Sequence, residues 1–174
     1  MNWKNCTAAG MFVLAGMVTV SALQTASAAE KLPNPIVEYA TVQQAAEAAG
    51  LTPLYLPKIA GYHVTNVSVI SRDTVDIDYM RDGNTETKIC VRTTKHCINH
   101  LSGVNGATWT KKPIHNTVVA TAAIPSLGTT QKGYAAEWKQ DDYCFSVMAE
   151  SISAAEFENL LTDGFVDLSE HYFD

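Results

Sequence analysis

Beyond its first 29 residues, this chain lacks the features that announce a chemistry. It has no G-x-S-x-G turn, which argues against the common serine-hydrolase architecture. It has no basic run and no acidic block; its 12 Lys+Arg and 18 Asp+Glu are dispersed, as on a solvated surface. An acidic protein repels phosphate backbones and anionic headgroups, so no nucleic-acid partner is expected. After residue 29 no segment is long and apolar enough to span a bilayer, so no membrane span is expected in the processed chain. No internal repeat is visible, no cofactor is expected and no catalytic residue stands out.

What is present begins at the start of the chain. Met1–Gly10 carries Lys4 and no acid, and Met11–Leu23 (MFVLAGMVTVSAL) is an uncharged apolar run. Small residues follow, with Ala26 and Ala28 in an A-x-A arrangement. This is the pattern of a signal peptide over residues 1–29. The alternative is an uncleaved anchor, for which the run is short. The protein is therefore expected to be exported, either secreted or associated with the cell envelope. Loss of Lys4 takes the basic residues from 12 to 11 and removes no acid, so the net charge goes from −6 to −7.

Three cysteines remain after cleavage: Cys90, Cys97 and Cys144. An oxidising compartment makes a disulfide plausible. Connectivity is not readable from sequence; Cys90–Cys97 is favoured because a tight turn could bring them together. All three as reduced residues packed in a sheet is the alternative.

The remaining pattern is one α+β domain at residues 41–165, after a linker at 30–40 and before an acidic tail at 166–174. Thr41 and Gln44 form a capping box, Val42, Ala45, Ala46 and Ala49 share a helical face, and Gly50 supplies a stop. Leu51–Gly61 holds two prolines and is expected to pack extended against the core. From Tyr62 the period becomes two. Val75, Ile77 and Tyr79 alternate with Asp76 and Asp78, and Asp82-Gly83-Asn84 is a hairpin turn. Thr87, Ile89 and Val91 follow, then Val118–Ile124, then Tyr134, Ala136 and Trp138, then Tyr143, Phe145 and Val147. Ser153 and Glu156 cap a second helix whose stripe is Phe157, Leu160 and Leu161, with Gly164 as its end. The expected fold is an antiparallel meander of about six strands, with an N-terminal and a C-terminal helix packed on one face.

Ala45–Val64 (AAEAAGLTPLYLPKIAGYHV), the strand Val91–Lys95 followed by Leu101-Ser102-Gly103, the hairpin Gly133–Val147 and the helix Ser153–Leu161 together resemble domain-of-unknown-function family 4367. The resemblance covers roughly residues 41–164. It rests on turn glycines, prolines and core aromatics. It implies an exported or membrane-tethered bacterial domain, often part of a regulatory protein, with no agreed activity and no catalytic residues to carry over. His96-Cys97 and the Pro125–Gly133 loop depart from the family's pattern.

Candidate chemistry is sparse. His96, Cys97 and His100 are zinc- or copper-type donors within one stretch, with Cys90 as a conceivable fourth; the competing reading is a disulfide beside two loop histidines. Asp76 and Asp78 could serve acid/base work or hold Ca²⁺, but alternation assigns them to the solvent face. Tyr134, Trp138, Tyr143 and Phe145 could line a ligand groove or pack beneath a helix. A cysteine with His63 or His115 is a generic nucleophile pattern without a local signature. The leading expectation is an exported, non-catalytic domain that binds or senses an envelope ligand or protein. A lipid or hydrophobic-ligand carrier and a secreted hydrolase are the alternatives.

Cleavage is expected near Ala28–Glu30. The intact mass of protein recovered outside the cytoplasm checks this, and a mass retaining Met1–Leu23 would show an anchored chain instead.

Overall fold

The alternation that starts at Tyr62 builds a larger sheet than its six apolar runs suggest. A computed structural model describes residues 35–97, 100–125 and 132–173, all within one unit, Pro33–Asp174. The expected signal peptide and cleavage site, part of the Pro125–Gly133 loop and part of the His96–His100 stretch lie outside the described residues. Eight strands form one antiparallel sheet: β1 (Ile36–Glu38), β2 (Tyr62–Ile70), β3 (Thr74–Arg81), β4 (Asn84–Thr94), β5 (Thr110–Ile114), β6 (Thr117–Ile124), β7 (Gly133–Gln140) and β8 (Tyr143–Glu150). The helices are α1 (Val42–Ala49), α2 (Ala154–Leu160) and α3 (Val166–Tyr172), with a π turn at Leu161–Phe165 joining the last two.

The two strands missed by alternation are both edges. β1 lies in the stretch expected to be a linker and pairs Val37 with Val69. β5 (TKKPI) carries Pro113, which cannot donate to a ladder and is tolerated at an edge. Nor is the sheet a single meander. Its order is β1-β2-β3-β4-β8-β7-β6-β5, two four-stranded meanders joined where β4 pairs with β8. After β4 the chain must therefore travel from the middle of the sheet to its far edge.

Burial separates the two faces of the sheet. On one face Val67, Val69, Val75, Ile77, Tyr79, Ile89, Val91, Ala136, Trp138, Phe145 and Val147 form a core with Ala45, Leu54, Phe157, Leu161, Phe165, Val166 and Phe173. Tyr79 meets Phe165 edge-on at 6.5 Å, and Tyr134 stacks on Phe157 at 5.5 Å. Trp138 Nε1 donates to Ser169 Oγ at 2.9 Å, so the indole is buried without an orphaned N–H. The Leu51–Gly61 segment is extended, as its prolines predict. Leu54 N donates to Thr93 Oγ1, and the Tyr79 hydroxyl donates to Leu56 O and accepts from Leu56 N.

The helix starts follow the sequence. Thr41 Oγ1 accepts from Gln44 N, Ser153 Oγ accepts from Glu156 N, and Gly50 closes α1 at φ +64. Gly164 does not end the second helix. It sits in the π turn, and the chain continues helical to Tyr172, so the segment expected as a tail contributes Val166, Ser169 and Phe173 to the interior. A Cβ at Gly164 would lie 3.2 Å from Leu56 Cδ1, so glycine here serves close approach rather than helix termination.

Phe157 and Trp138 share this core. Phe157→Ala is expected to cost about 3–5 kcal/mol by denaturant unfolding. A loss below about 1 kcal/mol would mean that α2 does not hold the sheet as described.

Candidate functional site

The second face of the sheet is polar, and the reason is the pairing of β4. Rows of side chains run across it: Asn66, Asp78, Cys90, Met148 and Ala135 in one, and Ser68, Asp76, Arg92, Ser146 and Glu137 in the next. Ser68, Asp76, Ser146 and Ala135 are buried, and Asp78, Cys90 and Arg92 are half-buried. The crossing segment after β4 is tied to this face. Arg92 Nη1 donates to Leu101 O at 3.1 Å and to Ser102 O at 3.2 Å. Ser102 N and Oγ both donate to Glu137 Oε1, at 2.8 and 2.6 Å. Hydrogen bonds to charged groups contribute about 1.5–3 kcal/mol each, so these contacts hold a strap over the sheet.

Two clefts open on this face, the smaller lined by strand residues and the larger lying between the strap and the strands. One, of about 320 Å³, is lined by Asp76, Asp78, Cys90, Arg92, Met80 and Met148 among others. The second, of about 600 Å³, lies beside Val104–Thr108 and shares Met148 and Glu150 with the first.

The polar floor of the smaller cleft is a network. Cys90 Sγ donates to Asp76 Oδ1 at 2.8 Å. Arg92 Nε lies 3.3 Å from the same oxygen, an ion pair whose N–H is poorly aligned, since that nitrogen forms no hydrogen bond. Asn66 Nδ2 donates to Asp78 Oδ2 at 3.3 Å. Burial, and after it the neighbouring Asp76, pushes the Asp78 carboxyl above its ordinary range. Burial also pushes the Cys90 thiol well up, with Asp76 adding to it. A thiol so held is neutral, the opposite of the lowered pKa that activates a cysteine nucleophile.

The residues named from sequence fall elsewhere or play other parts. Trp138, Tyr143 and Phe145 come together at the core, where Trp138 and Phe145 are 5.5 Å apart and Tyr143 and Phe145 both meet Phe173, while Tyr134 stacks apart from them on Phe157. The disulfide joins Cys97 to Cys144 and not to Cys90. Cys90 and Cys97 are kept apart because Cys90 pairs with Met148 deep in the ladder, while Cys97 lies just past Thr94, the partner of Cys144. With its sulfur oxidised, Cys97 is no thiolate ligand beside His96 and His100. His96 Nδ1 is 3.1 Å from Asp73 Oδ2, and His100 lies against the Trp109 ring at 5.9 Å. His63 pairs with Asp82, and His115 Nε2 is 2.8 Å from Thr162 O, neither near a cysteine of the cleft.

Asp76 leaves the solvent face that alternation assigned it and is buried beside Arg92 and Cys90, while Asp78 is half-buried on the wall of the smaller cleft. Their partners were obscured by a bulge. Arg81 faces Asn84, yet Met80 faces Lys88, so Thr85, Glu86 and Thr87 are extra on β4. Register counted from the turn alone would have put Asp76 and Asp78 opposite the wrong face of β4.

No family model, curated protein or solved structure matches this chain, so a functional reading rests on this geometry.

The raised Asp78 pKa sets a sign for the pH response. A folded-state pKa above the unfolded one means that the native state binds more protons across the interval, so this group lowers stability as pH rises through it. Asp78→Asn removes that loss. The variant should equal or exceed the parent in stability at neutral pH, and its advantage should shrink on acidification toward the ordinary carboxylate pKa. Urea unfolding of both proteins across the acidic range checks this; a variant weaker at neutral pH, with no change in pH slope, would contradict it.

Proposed function

We propose that this chain is an exported, non-catalytic domain of the cell envelope or secreted fraction that binds a ligand in the strapped cleft. Residues of all three helices join the apolar core on one side of the sheet, and the strap is tied to the other. The carrying observation is the strap itself. Arg92 and Glu137 hold it against the sheet, and it lines the larger cleft, which shares Met148 and Glu150 with the polar one. Sites of this size with a few convergent polar groups are the usual form of small-molecule sites.

Export is supported by the leader pattern and by Cys97–Cys144, a bond at home in an oxidising compartment. No helix among the described residues is long and apolar enough to cross a membrane. The neutral, hydrogen-bonded Cys90 favours binding over a hydrolase reading.

A hydrophobic-ligand carrier is the second reading. Its support is an apolar groove of about 470 Å³ lined by Val42, Pro53, Tyr55, Leu168 and Tyr172. That groove is open to solvent at the margin of the core, whereas Tyr79, Phe145 and Phe165 fill the space between sheet and helices.

Amide and methyl NMR with a fragment set of small amines, amino acids and sugars tests the proposal. Shifts should collect on Gly103–Thr108, Asp78 and the Met148 methyl. Shifts confined to the Val42–Tyr172 groove, or none at all, would overturn it.

A further inference from the structure

The Cys97–Cys144 bridge stands at the joint of the molecule. The β4–β8 ladder joins the two meanders, and Thr94 opposite Cys144 is its end pair. Past Thr94, Cys97 ties the start of the strap to β8. The next fastening is at Leu101 and Ser102, held by Arg92 and Glu137, and residues 104–108 then wall the larger cleft.

Two observations set this bridge apart from a structural disulfide sealed in a core. Cys97 is exposed, so a thiolate in solution can reach its sulfur. Cys144 is half-buried and lines a cleft of about 520 Å³, which has room for a released thiol. Exposed disulfides are the ones that exchange readily with thiols. Nor does the sheet depend on the bridge. The β4–β8 ladder runs from Lys88 to Thr94, and Val91, Val147, Trp138 and Phe145 share one core across the joint. Thr94 is held separately, its Oγ1 donating to Asp73 O at 3.0 Å. Reduction therefore removes an anchor of the strap and leaves the sheet in place.

We propose that Cys97–Cys144 is a reversible latch on the strap, opened by dithiol reductants while the protein stays folded. A reductant thiolate attacks the exposed Cys97 sulfur. The S–S bond breaks, and Cys144 leaves as a thiolate that takes a proton from solvent. The reductant's second thiol loses its proton and attacks its own partner sulfur in the mixed disulfide, and Cys97 leaves and is protonated. The chain gains two electrons and two protons, and the dithiol becomes a disulfide. Cys90 takes no part, because its thiol lies in the ladder between Asp78 and Met148 and donates to Asp76.

Dithiothreitol, added to the exported protein without denaturant, tests the latch. Alkylation and peptide mass mapping should find Cys97 and Cys144 newly modified and Cys90 unmodified. Backbone amides of residues 103–109 should then exchange with deuterium about tenfold faster or more, while those of β3 and β7 keep their protection. Oxidised glutathione should restore the parent rate. A brief pulse of reduced glutathione, quenched in acid, should leave the mixed disulfide on Cys97. The double variant Cys97→Ser/Cys144→Ser should fold and exchange like the reduced protein. Reduction that requires denaturant, strap exchange unchanged by reduction, protection lost in all strands together, a mixed disulfide on Cys144, or a double variant that does not fold would each overturn the proposal.

Discussion

The pairing of β4 with β8 is the constraint on which the rest of the molecule depends. It joins two meanders through their last strands, so the chain leaving β4 starts from the middle of the sheet. β5 lies on the far edge, and the connection has to pass over β8, β7 and β6 to reach it. A connection laid across a sheet face must satisfy its backbone groups there. Arg92 does this for Leu101 and Ser102 O, and Glu137 for Ser102 N. The same Arg92 is anchored by Asp76, so the carboxylate that orders the strap's clamp also holds the Cys90 proton. Strap, clamp and cleft floor are thus one network.

The two cysteine environments follow from this arrangement. Cys97 is at the foot of the strap and bonds Cys144, the partner-strand residue beside it, closing 47 residues of chain. In a chain-entropy account a loop of that size contributes about 4 kcal/mol. Cys90, four positions before Thr94 on the same strand, lies in the ladder between Asp78 and Met148, remote from that bond. Burial and two carboxylates keep it a neutral thiol, out of reach of the oxidation that captured its neighbour.

The opposite face shows how far alternation carries. Tyr79, Trp138, Phe145 and Phe157 lie where period-two and period-3.6 patterns predict, and the Thr41 and Ser153 caps start their helices as written. Patterns fail where neighbours override them. Pro113 and the proline-flanked Ile36 read as loop yet form edge strands, since an edge leaves one side of the ladder unpaired. Gly164 reads as a stop yet sits inside a helix, because Leu56 needs the room. Asp76 reads as solvent-facing because its neighbours Cys90 and Arg92 come from the next strand in a register that the hairpin turn does not reveal.

The sequence by itself determined the class of fold, the apolar face of six of the strands and the starts of the first two helices, because these depend on side-chain period and on residues a few positions apart. Tertiary structure alone decided the strand order, the Cys97–Cys144 pairing and the meeting of Asp76, Asp78, Cys90, Arg92 and Met148. Each of these depends on the β4–β8 register and the bulge at residues 85–87, which join positions dozens of residues apart and leave no periodic trace along the chain.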